Sequence, residues 1–417
     1  MKRLVLLAVV AAVALTALAS CSDRAATPKP QPLQPPFAQA SATDRQVLTS
    51  SNVFGFNLYR QIVDETPPPD NVFISPLSVS VALAMTYNGA DNDTKQQMAE
   101  VLGFSGMTDE QINESCRTLM QALVAADPSV IFEIANSIWY RCQLEFNPDF
   151  LQTNQTYFDA EVTGLDFNDE AAAIINAWVA EKTHDKITKI VQTPINPDLV
   201  MFLINAIYFK GIWVSQFDEA DTYDAPFHLY DGSDTPSRMM TQTADFAYGA
   251  SEQIQTITLP YGESFFNMTV LLPKPGVSLD EVTAQLDNDT WSTWLDEQQV
   301  REIELHLPRF RFSWKASLVP SLTALGMEDA FVPFKADLSR MRAANDLFIS
   351  DVKHKTFVEV NEEGTEAAAV TSVEVGITAV PPSKPVFLAD RPFLFAIWER
   401  DTKAVLFLGR VMEPVLE

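Results

Sequence analysis

Histidine and cysteine are scarce in this 417-residue chain, with four of the first and three of the second. His184, His228, His306 and His354 are scattered, and none stands beside a motif that nucleophilic catalysis uses. The sequence also lacks a Gly-x-Ser-x-Gly elbow, a His-Glu-x-x-His pair and a glycine-rich phosphate loop. It is therefore read as something other than an enzyme, with no metal and no cofactor expected. Basic residues are few, 29 against 55 acidic ones, and the formal net charge of −26 makes nucleic acid an unexpected partner. Cys116 and Cys142 show no paired spacing that points to a metal site or a disulfide framework. No internal repeat, low-complexity tract or second linker follows about Ser41, so residues 43–417 read as a single domain.

What is present begins with a targeting signal. Lys2 and Arg3 precede the apolar run Leu4 to Ala19, which is short for a membrane span and suits a signal peptide over 1–20. Leu18 to Cys21 resembles a bacterial lipobox, which implies cleavage before Cys21 and lipidation of its thiol. The prolines between Thr27 and Pro36 lack amide donors and fix φ, so 21–42 reads as a stiff tether. At about 3.1 Å per residue it would hold the domain up to roughly 60 Å from the membrane. The expected location is the bacterial outer membrane or cell surface.

Within the domain, helical periodicity marks Phe54 to Val63, Ser78 to Leu102, Asp109 to Ala126 and Glu170 to Ile190. Apolar or alternating β-branched and aromatic runs mark strands at Ile131 to Tyr140, Val200 to Phe209, Ile254 to Leu259 and Asn267 to Leu272. Others are Ile303 to Phe312, Thr356 to Val360, Phe393 to Glu399 and Ala404 to Val411. Helices crowd the first half and strands the second, which is an α+β pattern.

The stretch from Val358 to Pro382 is unusual. With period two, one face carries Thr365, Ala367, Ala369, Thr371, Val373, Val375 and Ile377, all small or apolar. Both charges, Glu366 and Glu374, lie on the other face with Ala368. Yet Glu366 to Ala369 favours helix over strand, and Gly364 supplies a flexible joint just before it. No proline intervenes until Pro381, so each amide from Thr365 to Val380 can donate to a strand ladder. Inserting about a dozen such residues into a sheet would add hydrogen bonds at roughly 0.5–1.5 kcal/mol each, besides apolar burial. Against the entropy of ordering, the gain could exceed about ten kcal/mol.

Ordered motifs along nearly the whole domain resemble the serpin family. They include Asn71 to Ser78, Asn176 to Val179, Asn205 to Trp213 with Phe217, Leu259 to Tyr261, and Leu307 to Phe310. Ala336 to Ser339, Ser350 to Lys355, Val360 to Ala369, Arg391 to Phe395 and Leu406 to Val411 continue the match.

The resemblance implies a serpin fold: helices around a large central mixed β-sheet, additional smaller sheets, and an exposed reactive-centre loop over about 362–384. It implies an irreversible suicide-substrate inhibitor, in which the protease becomes acylated and the cleaved loop inserts into the central sheet. The hinge would be Glu362, Glu363, Gly364, Thr365, Glu366, Ala367, Ala368 and Ala369. Counting from Glu362 places the scissile bond between Thr378 and Ala379, with Ile377 and Val375 as further candidates. Ser75, Ser78, Asn205 and His354 match the polar cluster beneath the opening sheet, Arg309 with Glu362 an ion pair at the insertion point, and Trp213 its aromatic neighbour. Small residues at the bond suit elastase-like or subtilisin-like serine proteases, with cysteine proteases as a second target class. The molecule is expected to be a monomer that meets the membrane through its lipid anchor. A non-inhibitory serpin acting as a surface binding protein is the alternative.

Overall fold

The computed structural model describes residues 37–416 except 39, 198 and 366–383. In chain order the elements begin with α1 (Ala42–Glu65), β1 (Val72–Ile74), α2 (Pro76–Tyr87), α3 (Asn92–Leu102), α4 (Asp109–Val124) and β2 (Ile131–Arg141). Then come α5 (Pro148–Phe158), β3 (Glu161–Leu165), α6 (Asp169–Lys182), β4 (Met201–Ile212), β5 (Tyr223–His228) and β6 (Asp234–Ala250). The second half is strand-rich: β7 (Ile254–Pro260), β8 (Phe266–Pro273), α7 (Leu279–Gln285), α8 (Asn288–Asp296), β9 (Gln299–Pro308) and β10 (Phe310–Ser317). After α9 (Val319–Ala324) the strands are β11 (Lys353–Val360), β12 (Gly364–Thr365), β13 (Val386–Leu388), β14 (Phe393–Glu399) and β15 (Val405–Val411).

Local chemistry fixes several ends. Ser41 with Asp44, and Thr108 with Gln111, form capping boxes that satisfy the first amides of α1 and α4. The helix expected from Ser78 to Leu102 is two helices, broken where the Gly89 backbone packs so closely on Met341 that a Cβ would lie 2.0 Å from its Cγ. The helix expected to reach Ile190 stops at Lys182, because His184 and Asp185 take positive φ values of 47° and 62°.

Among the described residues there are two sheets. The first has the order β10-β11-β12-β4-β2-β3, antiparallel except for the parallel β2–β3 pair. Its central feature is a division: β11 and β4 are not hydrogen-bonded to one another among the described residues, and two-residue β12 stands between them at one end. The second has the order β1-β15-β14-β8-β7-β6-β9-β13, with β5 beside β6. The smaller sheets expected from the sequence are continuous here, because the 17 residues of β6 pair in turn with β5, β9 and β7. The single strand expected over Ile303 to Phe312 is two, β9 and β10, one in each sheet. Aromatic packing joins the layers: Phe73 stacks on Phe395 and Phe407 at 5.4 and 5.2 Å, and meets Phe312 edge-on.

Candidate functional site

The division of the first sheet begins at a tight turn. The Asn361 Oδ1 accepts from the amides of Glu363 and Gly364 at 3.1 and 3.2 Å, and the Asn361 amide donates to the Gly364 carbonyl at 3.0 Å. This returns the chain from β11 into β12, with Thr365 opposite Val360 on one side and Gly211 on the other. Only glycine fits at 364, since a Cβ there would lie 2.0 Å from the Gly211 carbonyl oxygen.

Thr365 is buried, and its hydroxyl bonds the Tyr261 hydroxyl at 2.7 Å. Tyr261 in turn stacks on Trp213 with ring centroids 4.3 Å apart. Trp213 holds the turn at two points: its indole N–H donates to the Asn361 carbonyl at 3.0 Å and its amide to the Glu363 carbonyl at 2.8 Å. The Phe217 amide adds a bond to the Glu362 carbonyl at 2.9 Å.

The charges of the hinge are held within this frame. Arg309 sits at the break between β9 and β10, where its amide donates to the Arg238 carbonyl. Its Nε donates to Glu362 Oε1 at 2.6 Å and its Nη2 to Glu219 Oε1 at 3.1 Å. The Thr222 hydroxyl donates to the same Glu362 oxygen at 2.5 Å. Glu362 is 7% exposed at its side chain, so its charge depends on these donors rather than on water. For Glu363 no donor among the described residues reaches Oε2, and burial pushes its carboxyl above the ordinary range.

Further along the gap lies a second polar group. Ser75 caps α2: its hydroxyl accepts from the Ser78 amide at 3.2 Å and donates to the Leu406 carbonyl at 2.7 Å. The Ser75 amide donates to His354 Nε2 at 2.9 Å, so that nitrogen carries a lone pair and the ring is neutral. Burial agrees with this, lowering the His354 pKa to about 4. Ser75, Ser78 and His354 therefore form one connected unit. Asn205 faces the same cavity but is bonded elsewhere, its amide donating to Asn136 Oδ1 at 2.7 Å, while its own Oδ1 is a buried acceptor with no donor among the described residues.

That cavity, about 40 Å³, lies between residues 204–209 of β4 and 353–358 of β11, and Thr183, Ile187 and Ile190 also line it. It is continued by a larger one of about 480 Å³ walled by Val79, Leu83, Leu203, Leu338, Leu347 and Ile349. The two follow the line on which β12 would continue.

Of the hinge residues named from the sequence, Glu362, Glu363, Gly364 and Thr365 are described, and the loop expected to be exposed from 362 is instead seated in the sheet as far as Thr365. Glu366, Ala367, Ala368, Ala369, Val375, Ile377, Thr378, Ala379 and Cys21 lie outside the described residues. Cys116 and Cys142 are free thiols. Thr222, Glu219 and Asn136 carry no signal in the sequence, and Asn361 and Tyr261 only their places in recognised motifs.

A parted sheet with a hairpin seated at its mouth marks out one class of α+β protein. Residues 49–414 match the family model described as Serpin (serine protease inhibitor). Antithrombin-III of Mus musculus is 37% identical over 391 residues, covering 89% of this chain and 83% of its own. The leukocyte elastase inhibitor of Sus scrofa is 35% identical over 381 residues, covering 88% and 100%. Human thyroxine-binding globulin, solved in complex with thyroxine, superposes with a TM-score of 0.82 at 29% identity, covering 90% of this chain and all of that one. The chain belongs to the serpin family, whose described activity is inhibition of serine proteases rather than catalysis of a reaction.

Proposed function

We propose that this chain is a suicide-substrate inhibitor that traps serine proteases by inserting its cleaved loop between β11 and β4. One observation carries this reading: β12 already occupies the first two positions of that gap, with Thr365 paired to Val360 and Gly211. Neighbouring strands lie about 4.8 Å apart, so strands on either side of β12 stand one full strand apart. A strand continuing β12 in the same register brings Thr371 opposite both His354 and Asn205, where the unmet Asn205 Oδ1 awaits a hydroxyl donor. Val373, Val375 and Ile377 would follow into the apolar walls of the larger cavity. A protease cleaving between Thr378 and Ala379 would free this segment at one end while acylated, and insertion would carry the enzyme with it.

Elastase-like and subtilisin-like proteases fit the small residues around the proposed bond, and the name of the porcine relative points the same way. Cleavage before Cys21 and lipidation there would present the inhibitor, as a monomer, at a bacterial surface. The test is a denaturing gel of purified protein with an elastase-type and a subtilisin-type protease. A covalent complex that survives boiling in detergent is expected. Clean cleavage of the loop without such a complex overturns the reading and favours the second one, a non-inhibitory binding protein, for which the thyroxine-binding globulin likeness is the supporting observation.

A further inference from the structure

Phe334 is the most exposed large apolar side chain among the described residues, and its backbone takes a positive φ of 63°. It follows Pro333 in a turn closed by the Lys335 amide, which donates to the Val332 carbonyl at 3.1 Å. Proline second and a positive φ third is the pattern of a type II turn, in which glycine or asparagine sits most easily. Phenylalanine is unfavourable there twice, once for its backbone and once for a ring left wholly in water. Strain kept together with an exposed aromatic points to a contact made elsewhere in the working cycle.

The turn is a rigid mount. The Ala336 amide gives the Val332 carbonyl a second bond at 3.0 Å, and Lys335 pairs with Asp329 at 2.5 Å. Gln97 Oε1 on α3 accepts from the Glu328 and Asp329 amides at 3.0 and 2.8 Å. Val332, at the first position of the turn, is also exposed.

The place of the turn says what would cover it. Val360 lies opposite Thr365 in an antiparallel pair, so a strand continuing β12 in that register sets Thr378 opposite Leu347. Leu347 belongs to a segment bound on both sides of the turn: the Ile349 amide donates to the Ala330 carbonyl at 2.8 Å, and Asn345 Oδ1 accepts from the Leu338 amide at 3.0 Å. From Ala330 to Phe334 is at most about 14 Å of chain, and from Ile349 to Leu347 about 7 Å. With one hydrogen bond and one strand spacing added, an arriving residue 378 comes within about 30 Å of Phe334. A globular domain of about 200 residues has a radius of gyration of about 16 Å and is about 40 Å across, so an enzyme bonded at residue 378 is wide enough to reach the ring.

We propose that Phe334 is a docking point for the captured protease: an apolar surface of the acylated enzyme seats on the ring once insertion is complete, and this contact lengthens the life of the complex. Such docking rests on the insertion reading and adds to it, since nothing in insertion itself calls for a bulky apolar residue on this turn. Attachment at residue 378 supplies a high effective concentration, so one small contact suffices where two free proteins would not associate.

Hydroxyl-radical footprinting of Phe334 tests the contact. We expect ready oxidation in the intact and in the cleaved protein, and protection of about fivefold or more in the covalent complex with an elastase-type protease. Phe334→Asn tests its effect, because asparagine tolerates the positive φ and the variant should melt at or above the wild type. The variant should form complex at the wild-type rate, since the turn lies at the end of β11 remote from the hinge. From preformed complex it should release active enzyme about tenfold faster. Equal oxidation in complex and cleaved protein, or equal lifetimes for the two complexes, overturns the proposal. Protection in the intact protein alone would assign the ring to a second copy of this chain and overturn it as well. If the wild type traps no protease, the docking falls with the functional reading, and the missing complex identifies that cause.

Discussion

Arg309 Nε and Glu362 Oε1 are 2.6 Å apart, and they tie the break between β9 and β10 to the hairpin at the mouth of the parted sheet. Arg309 stands just before β10, and Glu362 lies in the turn that seats β12. The pair therefore anchors the turn at the mouth of the gap between β11 and β4.

Replacing Glu362 with glutamine should loosen that anchor. Arg309 would keep Glu219, but the charged bonds to Glu362 would be lost or weakened in a buried setting. The expected cost to the intact protein is about 2 kcal/mol, read as a shift of the denaturant midpoint. A midpoint within experimental error of the wild type would show that the turn is held without the ion pair, by the bonds from Asn361, Trp213 and Phe217.

Thr365 tests the path of the loop. Its side chain is buried against Tyr261, so Thr365→Arg would place a guanidinium where only a hydroxyl fits. Ala367→Pro would remove an amide from the incoming strand. For both variants we expect the fold outside β12 to be kept, with β12 unseated in Thr365→Arg, and the loop to be cleaved as an ordinary substrate, with the covalent complex lost. Undiminished complex formation by either would count against insertion along this face.

Thr371 follows from the register. Thr371→Val keeps the shape and removes the hydroxyl that would meet Asn205, so the cleaved form should melt several degrees below cleaved wild type while the uncut forms melt together. Equal melting of the two cleaved forms would mean that the strand enters in another register.

His354 gives a pH dependence. Its folded pKa is depressed to about 4 from 6.5 by burial, so the unfolded chain takes up the proton first as pH falls. Its contribution is fully present above the unfolded value and is lost as pH falls through the window between the two. Between pH 7 and pH 5 the wild type should lose about 2 kcal/mol more stability than His354→Gln. Parallel pH profiles for the two proteins would contradict a buried neutral imidazole.

The residues that carry the hinge were legible in order but not in contact. Glu362, Arg309 and Trp213 stand far apart in sequence, and resemblance alone suggested that they meet; the structure brings them together through Asn361 and Tyr261, whose roles depend on packing. Asn205 illustrates the opposite outcome. The resemblance grouped it with Ser75, Ser78 and His354, but its amide is taken by Asn136 on the neighbouring strand. Strand β6 left little trace, because residues 234–250 mix prolyl, polar and charged positions along a strand that pairs with three different partners along its length. The break at Arg309 was hidden inside one apolar run, since alternation continues on both sides of it while the partner sheet changes.

The most direct test is scanning calorimetry of the intact chain beside a sample nicked once between Thr378 and Ala379. Insertion worth about ten kcal/mol corresponds to a rise of roughly 10–15 °C in the melting temperature of a protein this size. We expect the nicked molecule to melt that far above the intact one. Coincident transitions would mean that the gap between β11 and β4 stores nothing the loop can release, and the trapping account would fall.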